Sequence, residues 1–90
     1  MQYALSQHVL QEMERRGIPL AAVESVLTVP AQKVPEHGNV VCYQSKVVIN
    51  QKAYLVRVMV NEKAMPPKVV TVYRTSKIGK YWRRQYESDL

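Results

Sequence analysis

Two segments of the chain place apolar side chains at every second position, which is the period of a β-strand. In the first segment, residues 53–60, one face carries aromatic or branched side chains: Tyr54, Val56, Val58 and Val60. In the second segment, residues 68–77, Val70 and Val72 share one face. The opposite face of that segment carries hydroxyl groups: Thr71, Tyr73 and Thr75. If these two strands pair antiparallel, with their valines on the same side of the sheet, one face of the sheet is apolar and packs on helices. The other face is polar and contains Arg57.

The first third of the chain repeats apolar residues at helical spacing instead. Ser6 suits the N-cap of a first helix, and Gly17 suits its left-handed end. The apolar stripe of this helix consists of Val9, Leu10 and Met13. A second helix begins near Pro19 and is closed by Pro30. Its apolar stripe consists of Leu20, Val23, Val26 and Leu27. Two short helices joined by a tight turn are therefore predicted over about residues 6–29.

The rest of the chain is predicted to contain one more strand, loops and a tail. Residues 40–49 form a third strand-prone segment, and residues 31–39 are predicted to be a loop because they contain a proline and the sequence HGN. The sheet would span about residues 40–75, and a basic C-terminal tail would follow over 76–90. This order predicts an α+β fold, with two N-terminal helices packed on one face of a three- to four-stranded antiparallel sheet.

Composition narrows the class of partner. Thirteen Lys and Arg residues against seven Asp and Glu residues give a formal net charge of +6, and the pI is near 9.7. A charge of this size favours an anionic partner, nucleic acid first, but it is equally compatible with a basic domain that is merely soluble. Ninety residues support one modest core, so we expect a single domain over residues 1–90.

Several classes of protein and site are disfavoured by the sequence. No apolar run is long enough to cross a membrane, and the first residues lack the regions of a signal peptide. With a single cysteine, Cys42, no internal disulfide forms, and we expect a cytoplasmic protein. The sequence contains neither His and Cys residues at the spacing of metal ligands nor a glycine-rich phosphate loop, so no metal or other cofactor is expected. Cys42 beside a histidine would suit a thiol nucleophile, but a lone cysteine on a strand is more often a small buried apolar residue.

Arg57 is the most informative candidate for chemistry, because an arginine in the middle of an apolar strand must be solvated or paired. It would either clamp a phosphate, lie on an open sheet face, or pair with a glutamate: Glu12, Glu14 or Glu24. Tyr73 offers a hydroxyl group on the same face, although tyrosine also simply packs well in strands. His8, in the first turn of the first helix, is a candidate general acid or base. The alternative for His8 is a structural hydrogen bond at the helix edge.

The C-terminal stretch interleaves cations with two aromatic residues: Lys77, Lys80, Tyr81, Trp82, Arg83 and Arg84. This combination is typical of a surface that follows a nucleic-acid backbone and stacks on its bases. The alternative is that the aromatic rings cover the edge of the core while the cations are merely solvated.

Three segments carry a resemblance to a known family: LSQHVLQEMERRGIPLAAVESVL, YLVRVMV and VVTVYRTSKIGKYW. From about Leu5 to Trp82 the chain resembles the bacterial domain-of-unknown-function 4258 family. The family's motifs fall on His8, Arg16-Gly17-Ile18, Arg57 and Thr71-Val72-Tyr73. The layout of the family looks like the small RNase-type fold of RelE-like toxins, which are usually basic and cleave RNA from an exposed sheet face without metal.

The resemblance implies a small basic RNA-binding protein and, beyond that, a metal-independent endoribonuclease of toxin type. Arg57 would hold the phosphate, His8 would act as acid or base, and Tyr73 and Lys77 would assist. The nucleic-acid-binding surface would consist of Arg16, Lys80, Tyr81, Trp82, Arg83 and Arg84. The implied partners are RNA and a small acidic antitoxin or immunity protein. The alternative is a non-catalytic module that binds nucleic acid or a protein partner, which needs the basic surface but not His8.

Overall fold

The computed structural model describes residues 2–84 of the chain, with two helices followed by an antiparallel sheet. The helices are α1 (Gln7–Arg15) and α2 (Leu20–Thr28). The strands are β1 (Gln32–Pro35), β2 (Val40–Ile49), β3 (Lys52–Asn61) and β4 (Lys68–Thr75), and a one-turn helix, α3, covers Ile78–Tyr81. The predicted α+β fold is confirmed, while residues 85–90 of the predicted tail lie outside the described residues. Within residues 2–84 no helix is long and apolar enough to cross a bilayer.

The sheet is a meander in which the strands follow one another in the order β1-β2-β3-β4. A two-residue turn joins β2 to β3, and both of its residues, Asn50 and Gln51, have left-handed backbones with φ of 51° and 69°. This is the turn geometry whose twist matches that of the flanking strands. The turn fixes the long β2–β3 register, which in turn decides which side chains share a face.

Strand β1 corrects the prediction that residues 31–39 form a loop. Gln32 and Val34 alternate inward and are buried, and the strand pairs with β2 in an antiparallel ladder. Pro35 has no N–H to donate, but β1 lies at the edge of the sheet, where proline is tolerated. The proline and the HGN sequence therefore end a short strand instead of preventing one.

The ends of α1 agree with the sequence pattern. The Ser6 hydroxyl oxygen accepts a hydrogen bond from the backbone N–H of Val9 at 3.2 Å, which is the expected N-cap contact. Gly17, with φ of +65°, adopts the left-handed conformation after the last turn. A side chain there would be strained by the backbone, so the tight turn into α2 depends on this glycine.

The apolar stripes of the two helices are narrower than predicted. Val9 and Met13 of α1 and three residues of α2 are buried: Val23, Val26 and Leu27. Leu10 and Leu20, both assigned to the stripes, are instead largely exposed. They border a shallow groove beside Ile18. Because each helix is only nine residues long, it covers the sheet with a single stripe of side chains, and its flank stays in solvent.

The valine face of the sheet packs under the helices, with one correction. Val56, Val58 and Val60 of β3 are fully buried in the core. In β4, however, Val70 is 46% exposed, and Val69 takes the core position instead. The register shifts between Met59 and Val60, so β4 contains one extra residue at this point. A β-bulge of this kind reverses the alternation beyond it, and simple period-two counting from Val72 back to Val70 was therefore wrong.

The outer edge of β4 is covered by other parts of the chain. Ala4 forms an isolated parallel bridge with Lys68, and the Val69 N–H donates to the Ala4 carbonyl at 3.0 Å. Further along, Arg16 donates from Nη1 to the Val72 carbonyl at 2.8 Å. Uncovered edge strands are sites of unwanted pairing, so these contacts protect the end of the sheet.

The β-bulge gives a paired test of the core assignment. Val58→Ala removes two methyl groups from a fully buried site and should lower the free energy of unfolding by about 1–3 kcal/mol, because it leaves a cavity. Val70→Ala removes the same atoms from a site that is 46% exposed and should lower the free energy of unfolding by less than about 0.5 kcal/mol. Urea unfolding monitored by circular dichroism measures both values. Equal losses for the two variants would contradict the bulged register.

Candidate functional site

Four side chains line up across the polar face, one from each strand. Gln32 of β1 pairs with Gln44 of β2, Gln44 pairs with Arg57 of β3, and Arg57 pairs with Tyr73 of β4. We call these four residues the polar row. The predicted placement of Arg57 and Tyr73 on one face is therefore confirmed. Gln32, Gln44 and Arg57 are only 3%, 0% and 4% exposed, so most of the polar row is buried, beside the buried Cys42 and Leu55 of the same face.

Each of the three nitrogens of the Arg57 guanidinium donates a hydrogen bond. Its Nε donates to Oε1 of Gln44 at 2.8 Å, its Nη1 donates to the Tyr73 hydroxyl oxygen, and its Nη2 donates to Oε1 of Glu36 at 2.9 Å. Burial by itself lowers the pKa of Arg57, but Cys42, the Tyr73 hydroxyl and Glu36 more than offset this and raise it. Arg57 therefore stays charged.

The ion-pair partner of Arg57 is Glu36, at 2.9 Å, and not one of the three helical glutamates proposed from the sequence. The helices pack on the valine face, so their carboxylates lie across the sheet from the guanidinium. Glu36 directly follows β1 and continues its alternation onto the polar face. The sequence pattern missed this partner because residues 31–39 were taken for a loop.

Residues 78–83, which we call the covering segment, lie across the polar row. The Tyr81 ring centroid is 4.6 Å from Cζ of Arg57, and Nε2 of Gln44 donates to the Tyr81 carbonyl at 3.2 Å. Nε2 of Gln32 donates to the Arg83 carbonyl at 2.6 Å. The Trp82 ring centroid lies 4.2 Å from Nζ of Lys46. The two predicted stacking residues, Tyr81 and Trp82, thus contact the protein's own sheet.

Exposed cations lie in the covering segment and directly beside it: Lys77, Lys80, Arg83 and Arg84. Lys46 projects from the same face, since it alternates with Gln44 along β2. Among residues 2–84, no carboxylate lies within ion-pair distance of these five side chains. The described ion pairs that involve exposed cations lie elsewhere, at Glu12 and Glu62. Positive charge therefore accumulates on the polar side of the sheet.

Two of the predicted site residues lie away from the polar row. His8 is on α1 with its side chain 76% exposed, and its Nε2 is 3.5 Å from Oε1 of Glu12. Since α1 packs on the valine face, the sheet separates His8 from Arg57. Arg16 lies at the outer edge of β4, where its Nη2 is 3.1 Å from Oε2 of Glu12 while Nη1 binds the Val72 carbonyl. The structure brings Arg57 and Tyr73 together but does not bring His8 or Arg16 to them.

Lys77 lies at the margin of the site. Its side chain is exposed, and its backbone N–H donates to the Thr75 hydroxyl oxygen at 3.1 Å just beyond β4. Within the described range, no group of three or more His, Cys, Asp or Glu side chains is arranged to hold a metal ion. The chemistry available in this part of the chain is that of a carboxylate, a guanidinium, a phenol and two amides.

Three residues of the site were missed from the sequence: Gln32, Gln44 and Glu36. For Gln44 a signal exists, because it is a polar residue in the middle of a strand-prone run. Only the β2–β3 register shows that Gln44 lies on the same face of the sheet as Arg57. Gln32 and Glu36 depend on β1, a strand of four residues that lacks a strong pattern of its own.

Cys42 lies beside the polar row, on the same face of the sheet and two residues before Gln44 on β2. It is completely buried, and burial raises the pKa of its thiol from 9.0 to about 11. Its Sγ is 3.8 Å from Oε1 of Gln44. A protonated, enclosed thiol is a poor nucleophile, so the geometry favours a packing role for Cys42.

A family model described as "Domain of unknown function (DUF4258)" matches residues 5–74 of the chain, well over half of its 90 residues. No curated protein and no solved structure matches the chain. The matched region contains the whole polar row and Glu36, whereas the covering segment begins after it.

The state of Cys42 can be tested by thiol labelling. The unfolded thiol has a pKa near 9.0 and the folded thiol a pKa near 11, so at about pH 8 the native protein should react with a disulfide reagent about a hundredfold more slowly than in denaturant. Because the folded pKa is raised, the stability linked to this thiol is present below about pH 9 and is lost as the pH rises towards about 11. Between about pH 9 and about pH 11, the Cys42→Ala variant should therefore lose less stability than the wild-type protein. Equally fast labelling of native and denatured protein would refute the enclosed thiol.

Proposed function

The chain belongs to the DUF4258 family, and we propose that it is a small RNA-binding protein that docks single-stranded RNA on the polar side of its sheet. The observation that carries the proposal is an accumulation of exposed cations in and beside the covering segment that have no ion-pair partner within residues 2–84: Lys46, Lys77, Lys80, Arg83 and Arg84. Cations that have no carboxylate nearby are available to neutralise phosphates, and the release of counterions then drives binding.

The choice of RNA rests on the resemblance to RelE-like toxins. The order of two helices followed by an antiparallel sheet supports this analogy, which is one of fold layout. A cytoplasmic location and a small acidic antitoxin or immunity protein belong to the same proposal. Such an acidic partner would bind the cations that RNA binds, so the two would compete.

A second candidate function, metal-independent RNA cleavage, is favoured by the contact of Arg57 with both Glu36 and Tyr73. Glu36 would take the proton of a ribose 2′-hydroxyl, whose oxygen then attacks the adjacent phosphorus. The bond from phosphorus to the 5′-oxygen breaks, and Tyr73 gives its proton to that oxygen. Arg57 neutralises the charge on the phosphate, and the products are a 2′,3′-cyclic phosphate and a 5′-hydroxyl.

This scheme replaces His8 by Glu36 as the base, because His8 lies on the other side of the sheet. It also requires the covering segment to move, since Arg57 is almost inaccessible beneath it. Lys77, at the end of β4, would assist by attracting the phosphate next to the cleaved one. Without that chemistry, the same surface would serve a non-catalytic regulator that binds RNA.

The binding proposal predicts a steep salt dependence that these cations control. Fluorescence anisotropy with a labelled single-stranded RNA should show the association constant falling with salt. A variant with Lys77, Lys80, Arg83 and Arg84 all changed to Gln should reduce the slope of log K against log salt by up to about 3, because about 0.7 counterions are released per phosphate contact on a single strand.

The matched control removes four exposed cations from other parts of the surface by change to Gln: Arg15, Lys52, Lys63 and Lys68. It has the same net charge as the first variant and should retain most of the salt slope. Equal slopes in the two variants would show that net charge alone attracts the RNA, which contradicts a defined binding surface.

The cleavage proposal predicts activity in EDTA and a cyclic phosphate product. Glu36→Gln, Arg57→Lys and Tyr73→Phe should each lower the rate by about 10²-fold or more, because each removes an acid, a base or a two-point phosphate contact. His8→Ala should leave the rate within about twofold, as expected for a residue outside the site. Gel analysis of end-labelled RNA measures both rate and product. An inactive wild type, or loss of activity only in His8→Ala, would refute this scheme.

A further inference from the structure

The hydrogen-bonding directions of the two buried glutamines are fixed by Arg57. An arginine Nε–H can only donate, so the Gln44 atom that it contacts at 2.8 Å is the acceptor Oε1. The other amide atom of Gln44 is therefore the donor Nε2, and it donates to Oε1 of Gln32 at 2.7 Å. This leaves Nε2 of Gln32 as a donor. The protein consequently presents three polar atoms in the order donor, acceptor, donor.

The covering segment supplies the complement of this pattern. The Tyr81 carbonyl accepts from Nε2 of Gln44 at 3.2 Å, the Arg83 N–H donates to Oε1 of Gln32 at 3.2 Å, and the Arg83 carbonyl accepts from Nε2 of Gln32 at 2.6 Å. Its three groups are thus acceptor, donor, acceptor. They occupy the polar row as a bound ligand would.

Among the RNA bases, uracil has this same arrangement on its Watson–Crick edge: the O4 acceptor, the N3–H donor and the O2 acceptor. Cytosine presents donor, acceptor, acceptor, guanine presents acceptor, donor, donor, and adenine presents a donor beside an acceptor. Exposed single-stranded bases are commonly read on this edge. We propose that Gln32 and Gln44 form a uracil-binding site, in which the covering segment is the built-in occupant that RNA displaces.

The ring of Tyr81 indicates where a second base would lie. It covers the guanidinium of Arg57, with the ring centroid 4.6 Å from Cζ. A nucleobase can stack on the flat face of a guanidinium as the Tyr81 ring does here. A base next to the bound uracil would replace this ring, so the buried charge would keep its cover when the segment leaves.

The covering segment is held weakly enough to be displaced. None of its side chains is fully buried, and α3 is a single turn of four residues. Its contacts with the polar row are hydrogen bonds and a ring contact, which RNA can replace. The core cluster under the helices lies on the other face of the sheet, so displacement exposes the polar row and its apolar neighbours Cys42 and Leu55 but leaves that cluster intact.

This inference rests on the proposed RNA binding, and the base identity of the probe tests it separately. Short oligonucleotides of uridine, cytidine and N3-methyluridine should be titrated into the wild-type protein at one salt concentration. Uridine should bind about tenfold more tightly than cytidine, which is typical of one well-placed multidentate base contact. N3-methyluridine, which lacks the N3–H, should fall to the level of cytidine. Equal affinity for all three would overturn the uracil site.

Two tyrosine variants test whether the covering segment competes with RNA. Tyr81→Leu removes the ring from Arg57 and should raise the affinity for uridine by about threefold or more, because it weakens the occupant. Tyr54→Leu is the matched control, since the Tyr54 ring centroid lies 4.4 Å from Cζ of Arg74 on the helical side, and it should leave the affinity unchanged. A lower affinity in Tyr81→Leu would mean that Tyr81 itself binds the RNA, and this would overturn the displacement.

Gln32→Leu provides the complementary test from the protein side. It should abolish the preference for uridine over cytidine while the salt slope stays as in the wild type, and circular dichroism checks that the variant is folded. Salt-dependent binding without any base preference in the wild type overturns the uracil site and leaves RNA binding standing. No binding to any of the oligonucleotides overturns both.

Discussion

The burial of one guanidinium is the constraint on which the polar half of this structure depends. Arg57 remains charged, and an uncompensated charge inside a protein costs several kcal/mol. Each of its three nitrogens therefore donates to an acceptor, supplied by Gln44, Tyr73 and Glu36, and the ring of Tyr81 covers its flat face. These partners come from β2, β4, the residue that follows β1, and the covering segment. One charge thus connects three strands to the C-terminal segment.

The two faces of the sheet are stabilised by different forces. The valine face is dry and packs on α1 and α2, so its stability comes from apolar burial. On the polar face Cys42 and Leu55 are buried as well, but the polar row is held to the covering segment by directed hydrogen bonds and a ring contact, which a ligand of matching geometry is able to replace. This separation allows the polar side to open while the core stays folded, since the two share only the backbone of the sheet.

The cleavage and uracil-site proposals depend on the same movement, whereas RNA binding to the exposed cations does not. Arg57, Gln32 and Gln44 are buried, and residues 78–83 contact all three. The cations of the C-terminal stretch remain exposed in the closed form, so they would contact RNA first. The site would then accept bases as the covering segment leaves, and any regulator that fixes this segment in place would keep the site closed.

The sequence by itself determined the two long helices, the three long strands, the α+β class and the two-faced character of the sheet. Periods of 2 and 3.6 residues are local properties of the chain, and the N-cap Ser6 and the terminator Gly17 act within a few residues of themselves. Placing Arg57 and Tyr73 on one face also needed only alternation on neighbouring strands. Tertiary structure decided the rest. The bulge that exposes Val70 and the pairing of Gln32 with Gln44 depend on registers set between strands. Likewise, the contact of Glu36 with Arg57 and the position of Tyr81 over it join residues far apart in sequence, whose proximity no local pattern encodes.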